Sequence, residues 1–183
     1  MRRADQAWSI AASVPTSPHR TPRGRTSTVM TPDATANWMF AEDFLPISEP
    51  VLRARARARE LGLAVPSPSA CRVLAVLAAV SGAKSAVEIG TSAGVAALAI
   101  IEGMPPGGVL TSVDAEIEHQ VAARAAFAEA GVAPSSTRLI NSAPAEVLPR
   151  LADGAYDMVM LGGARAEYGD RLADALRLLR RGG

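Results

Sequence analysis

The stretch Ala86–Gly94, A-V-E-I-G-T-S-A-G, decides the fold of this chain. Val87 and Ile89 stand in a short apolar run without helical spacing, which predicts a buried β-strand. Gly90 ends this strand, and Gly94 opens an apolar helical stretch. A glycine-bounded turn between strand and helix presents backbone N–H groups at the positive end of the helix. The turn therefore predicts a site for a nucleotide-like ligand, although glycines also occur in such turns for packing alone.

A second feature, one strand further on, supports a ligand site. Val109–Val113 has a strand pattern that ends in Asp114. In a βαβ unit, an acidic residue at the end of the second strand accepts hydrogen bonds from ribose hydroxyls. A solvated acid at a strand end is the alternative. The turn and Asp114 together favour a ligand that contains a ribose.

Composition excludes several classes of protein. The chain has 183 residues, 49% of them hydrophobic, and a net charge of +1, which predicts one soluble globular domain with appendages and no nucleic-acid partner. Cys71 is the single cysteine and the two histidines are far apart, so neither a disulfide nor a zinc site is expected. No apolar run approaches the ~20 residues of a membrane span. We expect a cytoplasmic protein without a membrane partner, and a homodimer is a further expectation.

The chain divides into three parts. Residues 1–29 are rich in Arg, Ser, Thr and Pro and lack the apolar core of a secretory signal, which predicts a disordered basic extension. Residues 30–65 form an N-terminal helical segment, with one helix predicted over Ala41–Leu61. Residues 66–183 form the core domain. Four arginines of the predicted helix spread around its axis, which indicates a solvated helix rather than a nucleic-acid patch. They are Arg53, Arg55, Arg57 and Arg59.

Three more helices are predicted in the core domain. The first begins after an N-cap in Pro66–Ser69 and ends at Gly82. The second covers Ile117–Ala130, with Val121 and Phe127 as core contacts. The apolar face of the first helix is predicted to be Val73, Val76, Leu77 and Val80. The apolar face of the last helix is predicted to be Leu172, Leu176 and Leu179.

Two further strands complete the pattern. Thr137–Asn141 is the third strand, and a short helix is predicted over Ala145–Leu151. Asp157–Leu161 is the fourth strand, and its nearly continuous apolar run predicts burial on both faces. Strands that alternate with helices through right-handed crossovers predict an α/β fold, a Rossmann-like doubly wound parallel sheet.

Five blocks in this order resemble the bacterial, catechol O-methyltransferase-like group of class I S-adenosylmethionine-dependent O-methyltransferases. They are G-A-K-S-A-V-E-I-G-T-S-A-G-V, L-T-S-V-D, A-E-V-L-P-R-L, Y-D-M-V-M-L-G-G-A-R-A-E-Y and L-R-L-L-R-R-G-G. The resemblance covers roughly Pro66–Gly183. It implies the class I methyltransferase fold, S-adenosyl-L-methionine as the cofactor, and methyl transfer to a hydroxyl of a small-molecule acceptor.

The resemblance also implies a set of cofactor-binding residues. Gly90 and its neighbours would face the methionine part, Glu88 would help to hold the turn, and Asp114 would bind the ribose. Ala143–Ala145 would lie beside the adenine. No catalytic residue is assigned. The full set is Glu88, Gly90, Thr91, Ser92, Gly94, Asp114, Ala143, Pro144 and Ala145.

Two departures from the family pattern bear on function. After the fourth strand the family has I-D-A-D-K, whose first Asp binds a divalent metal and whose Lys often acts as a base. Arginine cannot act as that base because its pKa exceeds ~12, and glycine offers no side-chain oxygen to magnesium, so no divalent metal is expected. The chain also stops where relatives continue, so we expect a core that lacks C-terminal strands and an aggregation-prone edge at the fourth strand. The residues that replace I-D-A-D-K are Leu161, Gly162, Gly163, Ala164 and Arg165.

Three functions therefore remain open. The first is an O-methyltransferase, and the second is a non-catalytic remnant that binds S-adenosylmethionine. The third is a nicotinamide-dependent oxidoreductase, which would share the glycine turn and Asp114. The third is disfavoured because Ser92 stands where G-x-G-x-x-G has its second glycine.

Overall fold

Strands and helices alternate along the core of the chain. The computed structural model describes residues 32–163 and 168–183, so the extension predicted over residues 1–29 lies outside the described residues. The strands are β1 (Ser85–Ile89), β2 (Val109–Asp114), β3 (Thr137–Asn141) and β4 (Met158–Leu161). The helices are α1 (Pro32–Asp43), α2 (Glu49–Glu60), α3 (Pro68–Val80), α4 (Val95–Gly103), α5 (Ile117–Glu129), α6 (Pro144–Val147) and α7 (Tyr168–Leu178), with 3₁₀ turns at Pro134–Ser136 and Leu148–Arg150.

The four strands form one parallel sheet in the order β3-β2-β1-β4. Glu88 of β1 pairs with Ser112 of β2, and Asp114 of β2 pairs with Asn141 of β3. In a parallel sheet all strands end at the same edge, and ligands of open α/β sheets bind outside that edge. The predicted parallel sheet is confirmed, and the order reverses at β1, which carries the glycine turn.

Alternate residues of each strand pack on opposite faces of the sheet. One face, with Ala86 and Leu110, packs against helices α2 to α5. The other face, with Val87 and Ile89, packs against Leu148 and against Leu178 of α7. Helices therefore cover both faces, as in a doubly wound sheet. Glu88 lies on the same face as Ala86, beneath α4.

The predicted burial of β4 on both faces is wrong. All four of its residues are half-buried, since β4 pairs with β1 alone among the described strands. Asp157, predicted as the first strand residue, lies just before β4 and accepts the backbone N–H groups of Lys84 and Ser85 at 2.6 and 2.9 Å. Burial opposes ionisation of Asp157, but these two bonds and Arg180 outweigh it and hold its pKa below the usual value.

The single helix predicted over Ala41–Leu61 is also wrong, because two helices occupy this part of the chain. Residues 44–48, which include Pro46, separate them. Ser48 is the N-cap of α2, and a proline in the first turn suits a helix start. Nor is α2 solvated on all sides: Ala54 and Ala58 are buried, and the guanidinium groups of two arginines pair with Glu129 of α5. These arginines are Arg53 and Arg57.

Three helices turn a different face to the core from the predicted one. Seven apolar residues predicted inside are each more than half exposed, namely Val73, Val76, Leu77, Val80, Val121, Leu172 and Leu176. Phe127 is buried as predicted. The buried positions are mostly alanines, such as Ala78 in α3, Ala123 in α5 and Ala175 in α7. A Cβ on Gly103 of α4 would lie 2.0 Å from the backbone oxygen of Ala75 in α3. Helices this close leave room only for small side chains between them.

A span through the ~30 Å hydrocarbon core needs about 20 predominantly apolar residues. Within residues 32–163 and 168–183, no helix is both long enough and apolar enough to cross a membrane.

Candidate ligand site at the glycine turn

The turn between β1 and α4 has a backbone that few sequences can adopt. Gly90 and Gly94 have φ of 90° and 81°, and Ser92 between them has φ of 50°. A positive φ is rare for a non-glycine residue, costs on the order of 1–3 kcal/mol and clusters at functional sites. The Gly94 N–H donates to the Thr91 oxygen at 2.9 Å, which closes the turn.

The two glycines also allow close backbone contacts. A Cβ on Gly90 would come within 3.0 Å of the backbone of Gly162 and Gly163, which follow β4. A Cβ on Gly94 would lie 3.1 Å from Ala123 and from the Phe127 ring of α5. The turn is therefore held between the end of β4 and helix α5, at the edge where ligands of this sheet type bind.

The structure brings Asp114 to this turn. Its carboxylate accepts the backbone N–H of Ser92 at 3.0 Å and that of Glu116 at 3.0 Å. His119 lies beside it, with Nδ1 3.0 Å from Oδ1, the oxygen that also accepts from Glu116. An ionised carboxylate only accepts hydrogen bonds, so Nδ1 carries the hydrogen. Asp114 thus fixes the strained Ser92, and His119 is a contact that the sequence did not predict.

Beneath the turn lies a buried polar chain. Ser112 donates to Glu88 Oε2 at 2.5 Å, and the Thr91 and Ser112 hydroxyl oxygens are 2.7 Å apart. Gln120 Nε2 donates to Thr91 at 3.2 Å and to the backbone oxygen of Ile140 at 3.0 Å. Four of these residues, namely Glu88, Thr91, Ser112 and Gln120, are at most 2% exposed. The chain links the turn to β2, to α5 and to the end of β3.

Burial dominates the electrostatics of Glu88. Burial raises the pKa of this carboxyl to about 8, and the negative charge of Asp114 raises it further. The hydrogen bond from Ser112 and the N–H of Ala97 in α4 lower the pKa, but by less than burial raises it. Two buried polar atoms close to the turn have no hydrogen-bond partner, Glu88 Oε1 and Ser92 Oγ. Since buried polar groups in native proteins are normally paired, these atoms mark the turn as a place for polar groups of a ligand.

The raised pKa of Glu88 gives a testable pH dependence. An unfolded Glu ionises near ~4.3, whereas folded Glu88 keeps its proton up to about pH 8. The folded state therefore binds more protons in this window, so the free energy of unfolding falls as pH rises, by up to about 1.4 kcal/mol per unit. In Glu88→Gln this loss is absent. Between pH 5 and pH 8 the free energy of unfolding of the variant should therefore rise by about 2–4 kcal/mol relative to that of the unmodified chain.

Urea unfolding at pH 5 and pH 8 measures this difference. Glu118→Gln removes the charge of an exposed glutamate on α5 and serves as the control. If the free energy of unfolding changes equally between pH 5 and pH 8 in Glu88→Gln and in the unmodified chain, then Glu88 ionises normally.

The segment predicted beside the adenine lies at the same edge of the sheet. The Ser142 N–H and the Asn141 side-chain amide donate to the backbone oxygen of Asp114 at 3.0 and 3.1 Å. Ala143 and Pro144 are half-buried and Ala145 is exposed. These bonds tie the end of β3 to the end of β2, so they fix the position of Ala143–Ala145 relative to Asp114.

Gly162, the first residue after β4, does not fit the role of a metal ligand. The Gly162 N–H donates to the Ile89 oxygen at 2.7 Å, and a Cβ on Gly162 would lie only 2.8 Å from that oxygen. An acidic side chain therefore has no room at this position unless the backbone moves. Ala164 and Arg165 lie outside the described residues. Within the described part of the chain, no three His, Cys, Asp or Glu side chains are grouped so that they could hold a metal ion.

A cavity of about 540 Å³ lies elsewhere, between the α1–α2 connection, α3, α4 and the end of α5. Its walls are mostly apolar, with Arg55 and the Arg72–Glu102 ion pair at its rim. None of the nine predicted cofactor residues lines it. The cavity and the glycine turn are thus separate features of the molecule.

The sheet order, the glycine turn and Asp114 at the end of β2 define a Rossmann-like α/β fold. The chain belongs to the O-methyltransferase family, whose model matches residues 51–183.

Relatives and solved structures agree with this membership. A Mycobacteroides abscessus relative that carries an O-methyltransferase name is 48% identical over 143 residues, which are 78% of this chain and 66% of that protein. A Corynebacterium glutamicum crystal structure has a TM-score of 0.77 at 35% identity and covers 81% of this chain and 70% of its own. The O-methyltransferase TomG of Streptomyces achromogenes, solved with S-adenosylmethionine, has a TM-score of 0.71 at 26% identity, covering 80% of this chain and 67% of its own. The chain thus spans just under two thirds of the length of the mycobacterial relative.

Proposed function

We propose that this chain binds S-adenosyl-L-methionine at the glycine turn and transfers its methyl group to a hydroxyl of a small-molecule acceptor. One observation carries the proposal: two buried, unpartnered polar atoms lie close to a strained turn at the N-terminus of α4, beside Asp114. A helix N-terminus and the acid at the end of the second strand are the groups that a nucleoside-containing ligand needs. The family membership points to the same ligand.

The proposed roles follow the order of the residues around the edge of the sheet. Gly90, Thr91, Ser92 and Gly94 hold the methionine part, and the unpartnered Glu88 Oε1 lies beneath them. Asp114 accepts a ribose hydroxyl at the remaining lone pair of Oδ2, since Ser92 occupies the other one and Glu116 and His119 occupy those of Oδ1. Ala143, Pro144 and Ala145 flank the adenine.

When bound, S-adenosylmethionine supplies a methyl group on a sulfonium sulfur, which an acceptor oxygen takes in an in-line displacement. The contribution of this chain is to hold the two reactants in line, and such positioning alone can account for several kcal/mol of the barrier. No general base is assigned among the described residues. A phenol suits this chemistry better than an alcohol, because its hydroxyl gives up its proton more readily.

The geometry after β4 leads to a prediction about metal. In the family pattern an acid stands where this chain has Gly162, and a Cβ there would contact the Ile89 oxygen at 2.8 Å. We therefore expect any methyl transfer by this chain to be indifferent to magnesium. Initial rates on a catechol-type acceptor should agree within about twofold in added Mg²⁺ and in chelator. A rate that rises with metal and falls with chelator would mean that unassigned residues supply the ligands.

A second candidate, a non-catalytic protein that binds S-adenosylmethionine, is supported by the same Gly162. Transfer of a labelled methyl group from S-adenosylmethionine to a panel of phenols and catechols separates the two, with Asp114→Ala as the background control. Transfer above that background supports the enzyme. Saturable binding of S-adenosylhomocysteine without transfer to any acceptor supports the second candidate, and the absence of binding contradicts both.

A further inference from the structure

The amide of Gln120 has only one orientation that fits its surroundings. Its nitrogen lies 3.0 Å from the backbone oxygen of Ile140, which can only accept a hydrogen bond. The atom assigned as Nε2 must therefore be the NH₂ group, and its second hydrogen points to the Thr91 hydroxyl at 3.2 Å. Gln120 is 2% exposed, so water does not compete for these bonds.

The groups at the two ends, Glu88 and Gln120, fix the direction in which the Ser112 and Thr91 hydroxyls donate their hydrogen bonds. An ionised Glu88 only accepts, so Ser112 gives its single hydrogen to Glu88 Oε2 at 2.5 Å. The Ser112 oxygen must then accept the Thr91 hydrogen across the 2.7 Å contact. The Thr91 oxygen in turn accepts from Gln120. While Glu88 is ionised, donation therefore runs one way, from Gln120 through Thr91 and Ser112 to Glu88.

We propose that Gln120 is a positioning residue of the cofactor site, which through Thr91 and Ser112 fixes the hydroxyl directions beneath the glycine turn and stabilises the ionised form of Glu88. The same amide holds the backbone of Ile140, which leads into the segment beside the proposed adenine position. One side chain thus sets the methionine side and the adenine side of the site relative to each other. The part that concerns the cofactor rests on the proposed function. The hydrogen bonds from Gln120 through Thr91 and Ser112 to Glu88, which we call the relay, do not depend on it.

Protonation of Glu88 reverses this arrangement. A neutral Glu88 can donate to Ser112, which then donates to Thr91, while Gln120 still donates to Thr91 as well. The Thr91 hydrogen then has no acceptor within the relay and is free to turn towards the site. The charged group that acts on Glu88 from β2 is Asp114; α4 contributes the N–H of Ala97, and α5 contributes the neutral Gln120. Because burial raises the pKa of Glu88 to about 8, both arrangements are populated near neutral pH.

The relay is tested first without any ligand. In Gln120→Met the side chain keeps its length but donates nothing, so the ionised Glu88 loses support. Titration of carbon-13-labelled glutamate carboxyls by NMR should move the Glu88 midpoint upwards by about half a pH unit or more. Leu178→Val, a buried substitution in α7 on the opposite face of the sheet, should lower stability and leave the midpoint in place. An unchanged midpoint in Gln120→Met would overturn the proposal.

Thr91→Val interrupts the relay at its centre, so it too should raise the Glu88 midpoint. This variant tests the relay if Gln120→Met does not fold. With ligand, Gln120→Met should raise the dissociation constant for S-adenosylhomocysteine about tenfold, and Leu178→Val should change it by less than about twofold. If the unmodified chain binds no S-adenosylhomocysteine, the proposed function fails while the ligand-free titration still decides the relay. Equal affinities of Gln120→Met and the unmodified chain would overturn the positioning role.

Discussion

Asp114→Ala is expected to weaken binding of S-adenosylhomocysteine by roughly 1.5–3 kcal/mol, or about 10- to 150-fold. Two effects contribute. The ribose loses a charged acceptor, and the Ser92 N–H loses the carboxylate that holds it at 3.0 Å. Because Ser92 has a positive φ, release of its N–H lets the turn relax away from the binding geometry.

Isothermal titration calorimetry measures this affinity directly. Glu116→Ala is the matched control, since Glu116 is an exposed acid two residues away whose contact with Asp114 uses only its backbone N–H. It should bind S-adenosylhomocysteine nearly as well as the unmodified chain. A dissociation constant that is the same in Asp114→Ala and Glu116→Ala would contradict the ribose assignment.

The second large effect is expected in stability rather than in binding. Gly103→Ala places a Cβ 2.0 Å from the backbone oxygen of Ala75, so α3 and α4 must move apart. Overpacking of a core typically costs 1–3 kcal/mol, and a clash with backbone belongs at the upper end, roughly 3 kcal/mol. Against a net stability of ~5–15 kcal/mol, such a loss should lower the melting temperature clearly.

Gly169→Ala is the matched control for this substitution. A Cβ on Gly169 in α7 would meet nothing within 4 Å, and its φ is not positive. That variant should be neutral or stabilised by up to about 1 kcal/mol. Urea unfolding compares the two. If Gly103→Ala unfolds at the same urea concentration as Gly169→Ala, then the close approach of α3 and α4 is not a real constraint.

The sheet was predictable because its signal is local. Each strand is a short apolar run bounded by turn residues, and Thr137–Asn141 was predicted with the bounds that it has. The β1–turn–α4–β2 unit also predicts which strand ends become neighbours, so the meeting of Asp114 with the glycine turn followed from topology. The break between α1 and α2 was less visible, although Pro46 and Pro50 both precede the apolar part of α2.

The inward faces of the helices were not predictable from periodicity, because an apolar period does not encode distance between helices. Val76 and Leu77 match the period of a core face, yet α3 turns Ala75 and Ala78 inwards since Gly103 brings α4 so close. In α5, likewise, the small Ala123 is buried and the larger Val121 is exposed. Residue size at the contact, which depends on the partner helix, overrides the pattern along one helix.

The relay beneath the turn was also not predictable. Gln120 stands among polar residues at the start of α5, where a glutamine is typical of a solvated surface. Only its three-dimensional neighbours, the Ile140 oxygen and the Thr91 hydroxyl, show that it is buried and paired. His119 is similar, since only the fold shows that its ring lies beside Asp114.

Binding of S-adenosylmethionine by the glycine turn and Asp114 underlies the proposed function. Calorimetric titration of the unmodified chain with S-adenosylhomocysteine, and separately with NAD⁺, tests it most directly. We expect saturable binding of S-adenosylhomocysteine at one site per chain and no binding of NAD⁺. Binding of NAD⁺, or a featureless titration with S-adenosylhomocysteine, would contradict it.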